Sequence, residues 1–246
     1  MIPRRFPAVI LLTLAALPQL AAATATTATA ASATIVCLGD SITAGRGLDE
    51  DQAYPALVET LARNDHRDWT VINAGVSGDT TAGGLRRVDW VLRAHPDLVL
   101  IALGGNDGLR GQPPAQMQAN LLAIIDRCAT AHVRTALAGM QMPTNYGADY
   151  RAAFAAVFPA VTGARSIPLL PFLLDGVGGH PDLNQADGIH PTAEGQQKVA
   201  ALVYAFLVPV MAGTSVPASA TAAAMAPATM SAPATAATIT ATGATP

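Results

Sequence analysis

A serine that follows an apolar run and a glycine is the first sign of chemistry in this sequence. Residues 35–38 are Ile-Val-Cys-Leu, and Gly39, Asp40 and Ser41 follow them directly. This pattern is typical of a buried strand that turns sharply into a loop or a helix. In open α/β sheets ligands bind at that edge, and a serine on a tight turn exposes its hydroxyl to a reactant. Ser41 is therefore a candidate nucleophile, and the alternative is a serine that caps a helix.

A serine nucleophile needs a base, and two of the five histidines lie in one long loop beside carboxylates. Asp187 precedes His190 by three positions, and the glycine between them permits a turn. The carboxylate could then hold Nδ1 of the imidazole while Nε2 stays free for Ser41. His180 and Asp182 form a competing pair in the same loop. The structural alternative for either pair is a carboxylate that caps a helix beside a solvated histidine. The other histidines follow helix patterns, where a surface imidazole is a sufficient explanation: His66, His95 and His132.

Attack by a serine creates an oxyanion that hydrogen-bond donors must stabilise. Gly75 offers a backbone N–H with no Cβ to obstruct close approach, and the glycine-flanked Asn106 offers a side-chain amide. Both also have ordinary explanations, because glycine often ends a strand and Asn106 or Asp107 could cap a helix. The functional interpretation is favoured because all the candidate groups follow predicted strands and so meet at one edge of one sheet.

The elements that must position these groups are visible in the hydrophobic pattern. Amphipathic stretches with helical spacing alternate with short apolar runs, which predicts right-handed βαβ crossovers and a parallel sheet. The runs have the length and the Val and Ile content of strands covered on both faces: Ile35–Leu38, Thr70–Asn73, Leu98–Leu103, Val133–Leu137 and Ile167–Leu170. We predict an α/β domain over residues 34–211, with a five-stranded parallel sheet in a three-layer α/β/α arrangement.

The loops of this predicted sheet resemble, in order and context, the four sequence blocks of the SGNH, or GDSL, hydrolase family. The matching segments are Gly39-Asp40-Ser41, Asn73-Ala74-Gly75, Gly104-Gly105-Asn106-Asp107 and Asp187-Gly188-Ile189-His190-Pro191. The chain looks most similar to the exported thioesterase, arylesterase and lysophospholipase branch, although Ile42 stands where the family name has leucine. The resemblance implies a flavodoxin-like fold.

The same resemblance assigns roles to residues. It implies Ser41 as nucleophile with Asp187 and His190 as its partners. It also implies an oxyanion hole made by the backbone N–H groups of Ser41 and Gly75 and by the side chain of Asn106. We expect an exported serine hydrolase that cleaves acyl esters or thioesters through an acyl-enzyme on Ser41. The alternatives are a carbohydrate O-deacetylase and a non-catalytic binding module on the same fold.

Apolar residues after the third, fourth and fifth strands could line a groove for an acyl chain, or could simply pack the loops together. The residues expected to bind substrate are Leu109, Met142, Tyr146 and Phe172. We expect a small-molecule or lipid acyl ester as the substrate, and a monomeric enzyme.

The two ends of the chain differ from its middle. Residues 1–23 contain a pair of arginines, a short apolar run and a small-residue stretch, which is the layout of a secretory signal peptide. This predicts a periplasmic or secreted protein with no membrane span in its mature form, since the apolar run is too short. Residues 24–33 and 212–246 consist largely of Ala, Thr, Ser and Pro and carry no charge. Such composition predicts a disordered spacer and a disordered tail.

Composition also argues against several kinds of partner. The net charge of −3 and the absence of a basic cluster argue against nucleic acid. The histidines are scattered and no nucleotide-binding glycine motif is present, so we expect neither a metal nor a cofactor. Cys37 lies in a predicted strand and Cys128 on a predicted helix, farther apart than the roughly 4.4–6.8 Å between Cα atoms that a disulfide requires. We expect two buried thiols.

Overall fold

A parallel sheet forms the centre of the computed structural model, which describes residues 32–214 of the 246-residue chain. Its strands are β1 (Ala33–Gly39), β2 (Trp69–Gly75), β3 (Leu98–Ala102), β4 (Arg134–Ala138) and β5 (Leu169–Leu170). They lie side by side in the order β2-β1-β3-β4-β5, and every pair is parallel. This is the flavodoxin-like order, so the predicted fold class is confirmed.

Helices cover both faces of the sheet. Those in the described part of the chain are α1 (Ser41–Ala44), α2 (Tyr54–Asn64), α3 (Thr81–Leu92), α4 (Gly105–Leu109), α5 (Pro114–Thr130), α6 (Ala148–Arg165) and α7 (Ala193–Met211). α2 packs against α7 on one face, and α5 packs between α3 and α6 on the other. The result is the three-layer arrangement.

Each of the first four strands differs from its predicted bounds by no more than two residues. β5 is shorter than the predicted Ile167–Leu170. Ser166 has a left-handed backbone with a φ of 52°, and Pro168 has no N–H to donate to a neighbouring strand. Regular pairing therefore begins only at Leu169.

The predicted domain boundaries need two small corrections. Ala33 was expected in the spacer, but it belongs to β1, because its N–H donates to the Asp68 carbonyl (2.9 Å) and its side chain is buried. Residues 212–214 were expected in the tail, but they form the turn that ends α7, where the N–H of Ala212 donates to Val208 O (3.2 Å). The predicted signal peptide, most of the spacer and the rest of the tail lie outside the described residues. No helix within residues 32–214 is long and apolar enough to cross a membrane.

Both cysteines lie in the core, as expected from their places in the pattern. Cys37 in β1 and Cys128 in α5 are completely buried and are not joined in a disulfide. Burial raises the pKa of Cys37 to about 12 and that of Cys128 to about 11. Both side chains therefore stay neutral thiols and pack as small apolar groups.

The order of the strands creates a crevice at one edge of the sheet. From β1 the chain crosses to β2 on one side and then to β3 on the other, so the connections diverge between β1 and β3. In open α/β sheets such a point, at the carboxyl ends of the strands, is where ligands bind. The short helices α1 and α4 begin there, immediately after β1 and β3.

Candidate active site

Ser41 is the first residue of α1 and lies at the carboxyl end of β1. Asp40 caps this short helix, since its carboxylate accepts the N–H of Ile42 (3.0 Å). Gly45 ends the helix in a left-handed conformation, with a φ of 70°. The N–H of Ser41 is at the start of the helix and donates to no group among the described residues. The serine thus presents both its hydroxyl and an unused N–H at the crevice.

A chain of hydrogen bonds runs from Ser41 through His190 to Asp187. Ser41 Oγ lies 2.8 Å from Nε2 of His190, and Nδ1 of the same ring lies 2.6 Å from Oδ2 of Asp187. Ser41 and His190 are both about 7% exposed. The two groups come from positions 149 residues apart, so the fold brings together the groups that the sequence suggested.

A tight turn places the carboxylate on the imidazole. Oδ1 of Asp187 accepts the backbone N–H groups of Ile189 and His190, each at 3.0 Å, while Gly188 takes a left-handed φ of 69°. Gln185 also stabilises the turn, because its N–H donates to the carbonyl of His190 (2.7 Å). The spacing of three residues therefore lets one carboxylate cap its own turn and hold the ring.

The charge of Asp187 fixes which ring nitrogen carries the proton. Burial acts to raise the pKa of Asp187, but the backbone N–H groups of His190 and Ile189 and the imidazole outweigh it and lower the pKa to about 2. An ionised carboxylate can only accept hydrogen bonds, so Nδ1 of the neutral ring donates to it. Nε2 is then an acceptor, and the hydroxyl of Ser41 donates to it.

Gly75, predicted as an oxyanion donor, is not placed at the site, and this prediction is corrected. Its N–H donates to Oδ1 of Asn73 (2.9 Å), and a Cβ at this position would overlap the backbone of Ala44. The glycine allows α1 to pack closely on β2. Gly78, three residues later, lines the cavity at Ser41 instead.

The backbone of Gly78 is suited to a donor role. Its φ of 79° is left-handed, and its N–H donates to no group in residues 32–214. Arg110 fixes the glycine from the outside by donating to its carbonyl (2.8 Å). The sequence signal that could have found it is a second glycine in the same loop, directly before the Asp79-Thr80 pair that leads into α3.

Asn106 lies inside α4, whose N-cap is Gly104, so it does not cap that helix. Its amide nitrogen donates to the carbonyl of Asp79 (3.0 Å) and, over a long 3.3 Å, to the carboxylate of Asp40. The second distance exceeds the usual range of about 2.7–3.2 Å. The N–H that makes this long bond to Asp40 could therefore donate to a stronger acceptor instead.

Asp107 caps a helix, but a distant one. Its buried carboxylate accepts the N–H of Thr81 (2.9 Å), the first residue of α3, and also the Thr81 hydroxyl. Asn120 on α5 donates to that hydroxyl in turn (3.0 Å). This network fastens the loop of Gly78 to the helix of Asn106.

A cavity of about 300 Å³ opens beside Ser41 and is lined mainly by apolar groups. Three of the four predicted substrate-binding residues line it: Leu109, Met142 and Tyr146. Phe172 does not, because its side chain is 2% exposed and lies against Gly178 in the interior. Leu174, two residues later, lines the cavity instead. Other lining residues that the sequence did not single out are Arg46, Met140, Gln141, Pro143, Asn145 and Ile189.

The competing pair His180 and Asp182 lies away from Ser41. Both residues are exposed, at the 3-10 helix Pro181–Leu183, and neither lines the cavity. The other three histidines follow the ends of α2, α3 and α5 in left-handed conformations and are exposed: His66, His95 and His132. His190 is therefore the histidine within reach of Ser41.

Comparison with known proteins extends the match beyond these side chains. Residues 37–198 match the model of the GDSL-like Lipase/Acylhydrolase family. The chain belongs to this family. The predicted resemblance is thereby confirmed, and the protein is a serine ester hydrolase.

Named relatives of this GDSL hydrolase are enzymes. Esterase TesA of Pseudomonas aeruginosa is 43% identical over 179 residues, or 72% of this chain and 89% of that protein. Thioesterase 1/protease 1/lysophospholipase L1 of Escherichia coli is 39% identical over 168 residues, or 68% of this chain and 79% of that protein. The crystal structure of the psychrotrophic esterase EstA from Pseudoalteromonas, inhibited by monoethylphosphonate, has a TM-score of 0.71 and 34% identity. The match covers 74% of this chain and 100% of the EstA chain. The expected alternative of a non-catalytic module is set aside.

Proposed function

We propose that this GDSL hydrolase cleaves acyl esters or thioesters through an acyl-enzyme intermediate on Ser41. The observation that supports the proposal best is the unbroken hydrogen-bond chain from Ser41 through His190 to Asp187, which ends in a largely apolar cavity. The ionised Asp187 lies against Nδ1 of the imidazole, and Nε2 of the same ring faces the hydroxyl of Ser41.

Acylation begins when Ser41 Oγ attacks the carbonyl carbon of the substrate and its proton passes to Nε2 of His190. The imidazolium that forms is stabilised by the ionised Asp187. When the tetrahedral intermediate collapses, the bond to the leaving group breaks and His190 returns the proton to the departing oxygen or sulfur. Water then attacks the acyl-enzyme in the same way, with His190 again as base, and releases the acid and the free serine.

The oxyanion of each tetrahedral intermediate needs donors that are not consumed by the protein itself. The N–H groups of Ser41 and Gly78 meet that condition, and the long bond from Asn106 to Asp40 is weak enough to be exchanged. Donors fixed in a largely apolar cavity stabilise the transition state more than the substrate, because negative charge on the oxygen grows during attack. We assign these three groups as the oxyanion hole.

The acyl group belongs on the apolar side of the cavity, against Leu109, Met142 and Tyr146. Tyr146 joins the two sides of this wall, because its hydroxyl donates to the carbonyl of Leu109 (3.0 Å). A wall of aliphatic and thioether groups suits an alkyl chain better than a sugar, which would need a denser set of polar partners. This favours an esterase or thioesterase over a carbohydrate O-deacetylase.

The test is a chain-length series of p-nitrophenyl esters with the wild type and three variants. Ser41→Ala and His190→Ala are each expected to abolish turnover with an unchanged melting temperature. The reason is that removing any one member of a catalytic unit removes nearly all of its activity. His180→Ala is the matched control and is expected to keep full activity. Acyl chains longer than acetyl are expected to react faster. Loss of activity in His180→Ala with retention in His190→Ala would contradict the assignment, and a strict preference for acetyl would favour the deacetylase.

We also propose that the protein is exported to the periplasm or the medium. It depends on the signal-peptide layout of residues 1–23, which lie outside the described part of the chain. N-terminal sequencing of the protein recovered outside the cytoplasm tests it. A mature terminus within the small-residue stretch supports export with a cleaved signal peptide, and protein found only inside the cytoplasm with Met1 intact would contradict it.

A further inference from the structure

Arg46 places an unpaired positive charge at the mouth of the catalytic cavity. It directly follows Gly45 at the end of α1, and its N–H donates to the carbonyl of Ser41 (3.0 Å). The side chain is exposed and lines the cavity, yet it forms no hydrogen bond or ion pair with any group in residues 32–214. The acidic residues that follow at 49–51 form no ion pair with it either.

Several other arginines in residues 32–214 have partners of their own. Arg87, Arg127 and Arg165 form ion pairs with Asp79, Asp89 and Asp126. Arg110 donates to the carbonyl of Gly78 (2.8 Å). Among the residues that line the cavity, Arg46 is therefore the cation whose guanidinium is left for a ligand.

The turn that carries Arg46 is fastened to the segment that carries His190. The side-chain amide of Gln185 donates both to the carbonyl of Arg46 (2.8 Å) and to the carbonyl of Pro191 (2.9 Å). The backbone N–H of Gln185 donates to the carbonyl of His190 (2.7 Å). Arg46 and His190 thus lie on two joined segments, and both line the cavity.

In the proposed reaction the leaving group must lie beside His190. His190 protonates the departing oxygen or sulfur, so the leaving group has to pass over its Nε2. In the same proposal the acyl chain lies against the apolar wall of Leu109, Met142 and Tyr146. A charge beside His190 therefore acts on the alcohol or thiol half of the substrate.

We propose that Arg46 is a specificity residue that binds a phosphate group on the leaving group of the substrate. A guanidinium presents a planar fork of donors that matches two phosphate oxygens, and it stays charged at any pH at which the enzyme works. The enzyme then prefers acyl esters and thioesters whose alcohol or thiol carries phosphate. This inference rests on the proposed function of Ser41, because it concerns the leaving group of the same reaction.

The test compares two pairs of substrates that differ only in phosphate. Octanoyl-4′-phosphopantetheine is compared with octanoyl-pantetheine, and 1-octanoyl-glycerol 3-phosphate with 1-octanoylglycerol. For each pair the selectivity is the ratio of kcat/KM for the phosphate-bearing substrate to that for the neutral one. Arg46→Ala is expected to lower this ratio about 2- to 5-fold, the effect typical of one exposed charge contact.

Three further measurements separate binding by Arg46 from a general charge effect. Arg46→Lys keeps the charge without the fork and is expected to give an intermediate ratio. Arg93→Ala removes the same charge from the opposite edge of the sheet, at the end of α3, and is expected to leave the ratio unchanged. Added salt is expected to lower the ratio of the wild type and not that of Arg46→Ala.

The outcomes distinguish this inference from the function on which it rests. A fall of the ratio in the thioester pair alone assigns the phosphate to a coenzyme-like thiol. A fall in the glycerol pair alone assigns it to a lipid headgroup. Neutral substrates that react normally, with an unchanged ratio in Arg46→Ala, would overturn the role of Arg46 alone. A wild type that hydrolyses none of the four substrates would overturn the proposed function as well.

Discussion

The side chain of Asn106 lies between two acceptors, the carbonyl of Asp79 and the carboxylate of Asp40. Because it does not cap α4, removing it should not cost the roughly 1 kcal/mol of a lost cap. Asn106→Ala is expected to lower kcat about 10²- to 10³-fold, since a donor to the oxyanion acts mainly in the transition state. KM and the melting curve are expected to change little. Steady-state kinetics with a p-nitrophenyl ester and a thermal melt measure both effects.

The exposed Asn64, at the end of α2, provides a control that removes an amide far from the crevice. Asn64→Ala is expected to keep the kcat of the wild type. A lower melting temperature with an intact kcat in Asn106→Ala would assign that residue a structural role. The oxyanion would then be left to the N–H groups of Ser41 and Gly78.

Asp40 gives the protein a titration near pH 6. Burial raises the pKa of its carboxyl group from an ordinary 3.8 to about 6, although the N–H of Ile42 acts against the shift. The folded protein therefore holds this proton to higher pH than the unfolded chain does. Its contribution to stability is complete below about pH 4 and is lost as the pH rises through about 6.

Asp40→Asn cannot ionise, so its melting temperature is expected to improve relative to the wild type as the pH rises from 4 to 7. A shift of two pKa units corresponds to roughly 3 kcal/mol in the free energy of unfolding across that window. The lost contact with Asn106 adds an offset that does not depend on pH. Asp187 does not interfere, because its stabilisation is lost only as the pH falls toward 2. A difference in melting temperature that stays constant between pH 4 and 7 would contradict the shift.

The glycines show where the sequence could not identify the residue. Gly75 and Gly78 both lie in the loop after β2, and the hydrophobic pattern treats them alike. What separates them is three-dimensional: one packs against the backbone of Ala44, and the other faces the cavity. In contrast, one tight turn marks Ser41 in the sequence, and one three-residue spacing marks Asp187 and His190. The approach of Ser41 to His190 is not local, since the fold joins positions 149 residues apart.

At the scale of elements, Arg87 on α3 ties the ends of two strands together. Its guanidinium donates to the carbonyls of Gly39 in β1 (2.8 Å) and Ala74 in β2 (2.7 Å), and it pairs with the carboxylate of Asp79 (2.7 Å). Arg87→Ala is expected to lower the free energy of unfolding by about 3–5 kcal/mol, because it leaves a largely buried carboxylate unpaired. It is also expected to lower kcat, since Gly39 leads to Ser41 and Asp79 follows Gly78.

Arg86, the exposed residue that precedes Arg87, is the matched control in denaturant unfolding. Arg86→Ala is expected to change stability by no more than about 0.5 kcal/mol. Arg87→Lys keeps the charge and loses the fork, so an intermediate loss is expected. Equal stabilities for Arg86→Ala and Arg87→Ala would show that the guanidinium does not hold the strand ends.

The elements were predictable where they are long and periodic. The five long helices and the four regular strands follow from spacing and apolar content. The short helices α1 and α4 did not, because four or five residues are too few to show a helical period. The role of Asp107 could not be predicted from the sequence for a different reason. A carboxylate directly after a strand suggests a cap for the next helix, but its partner is Thr81 on α3, 26 residues away.

At the scale of the whole molecule, the sheet gathers the chemistry at one edge. Three strands contribute parts of the candidate site from the loops at their carboxyl ends: β1, β2 and β3. The loop before α7 contributes the remaining part. The three histidines that follow helix ends lie where those helices lead into the next strand, at the opposite edge. The order of strands was implied by family resemblance, whereas the pattern of apolar residues alone predicted only that the sheet is parallel.

The central claim is that Ser41 is the nucleophile, activated by His190. The most direct measurement is reaction of the purified protein with a fluorophosphonate, followed by intact mass and peptide mapping. The account predicts a single adduct, located on Ser41, that is absent in Ser41→Ala, forms far more slowly in His190→Ala and forms at the normal rate in His180→Ala. An adduct on another residue, equal labelling of Ser41→Ala, or an unlabelled wild type would contradict it.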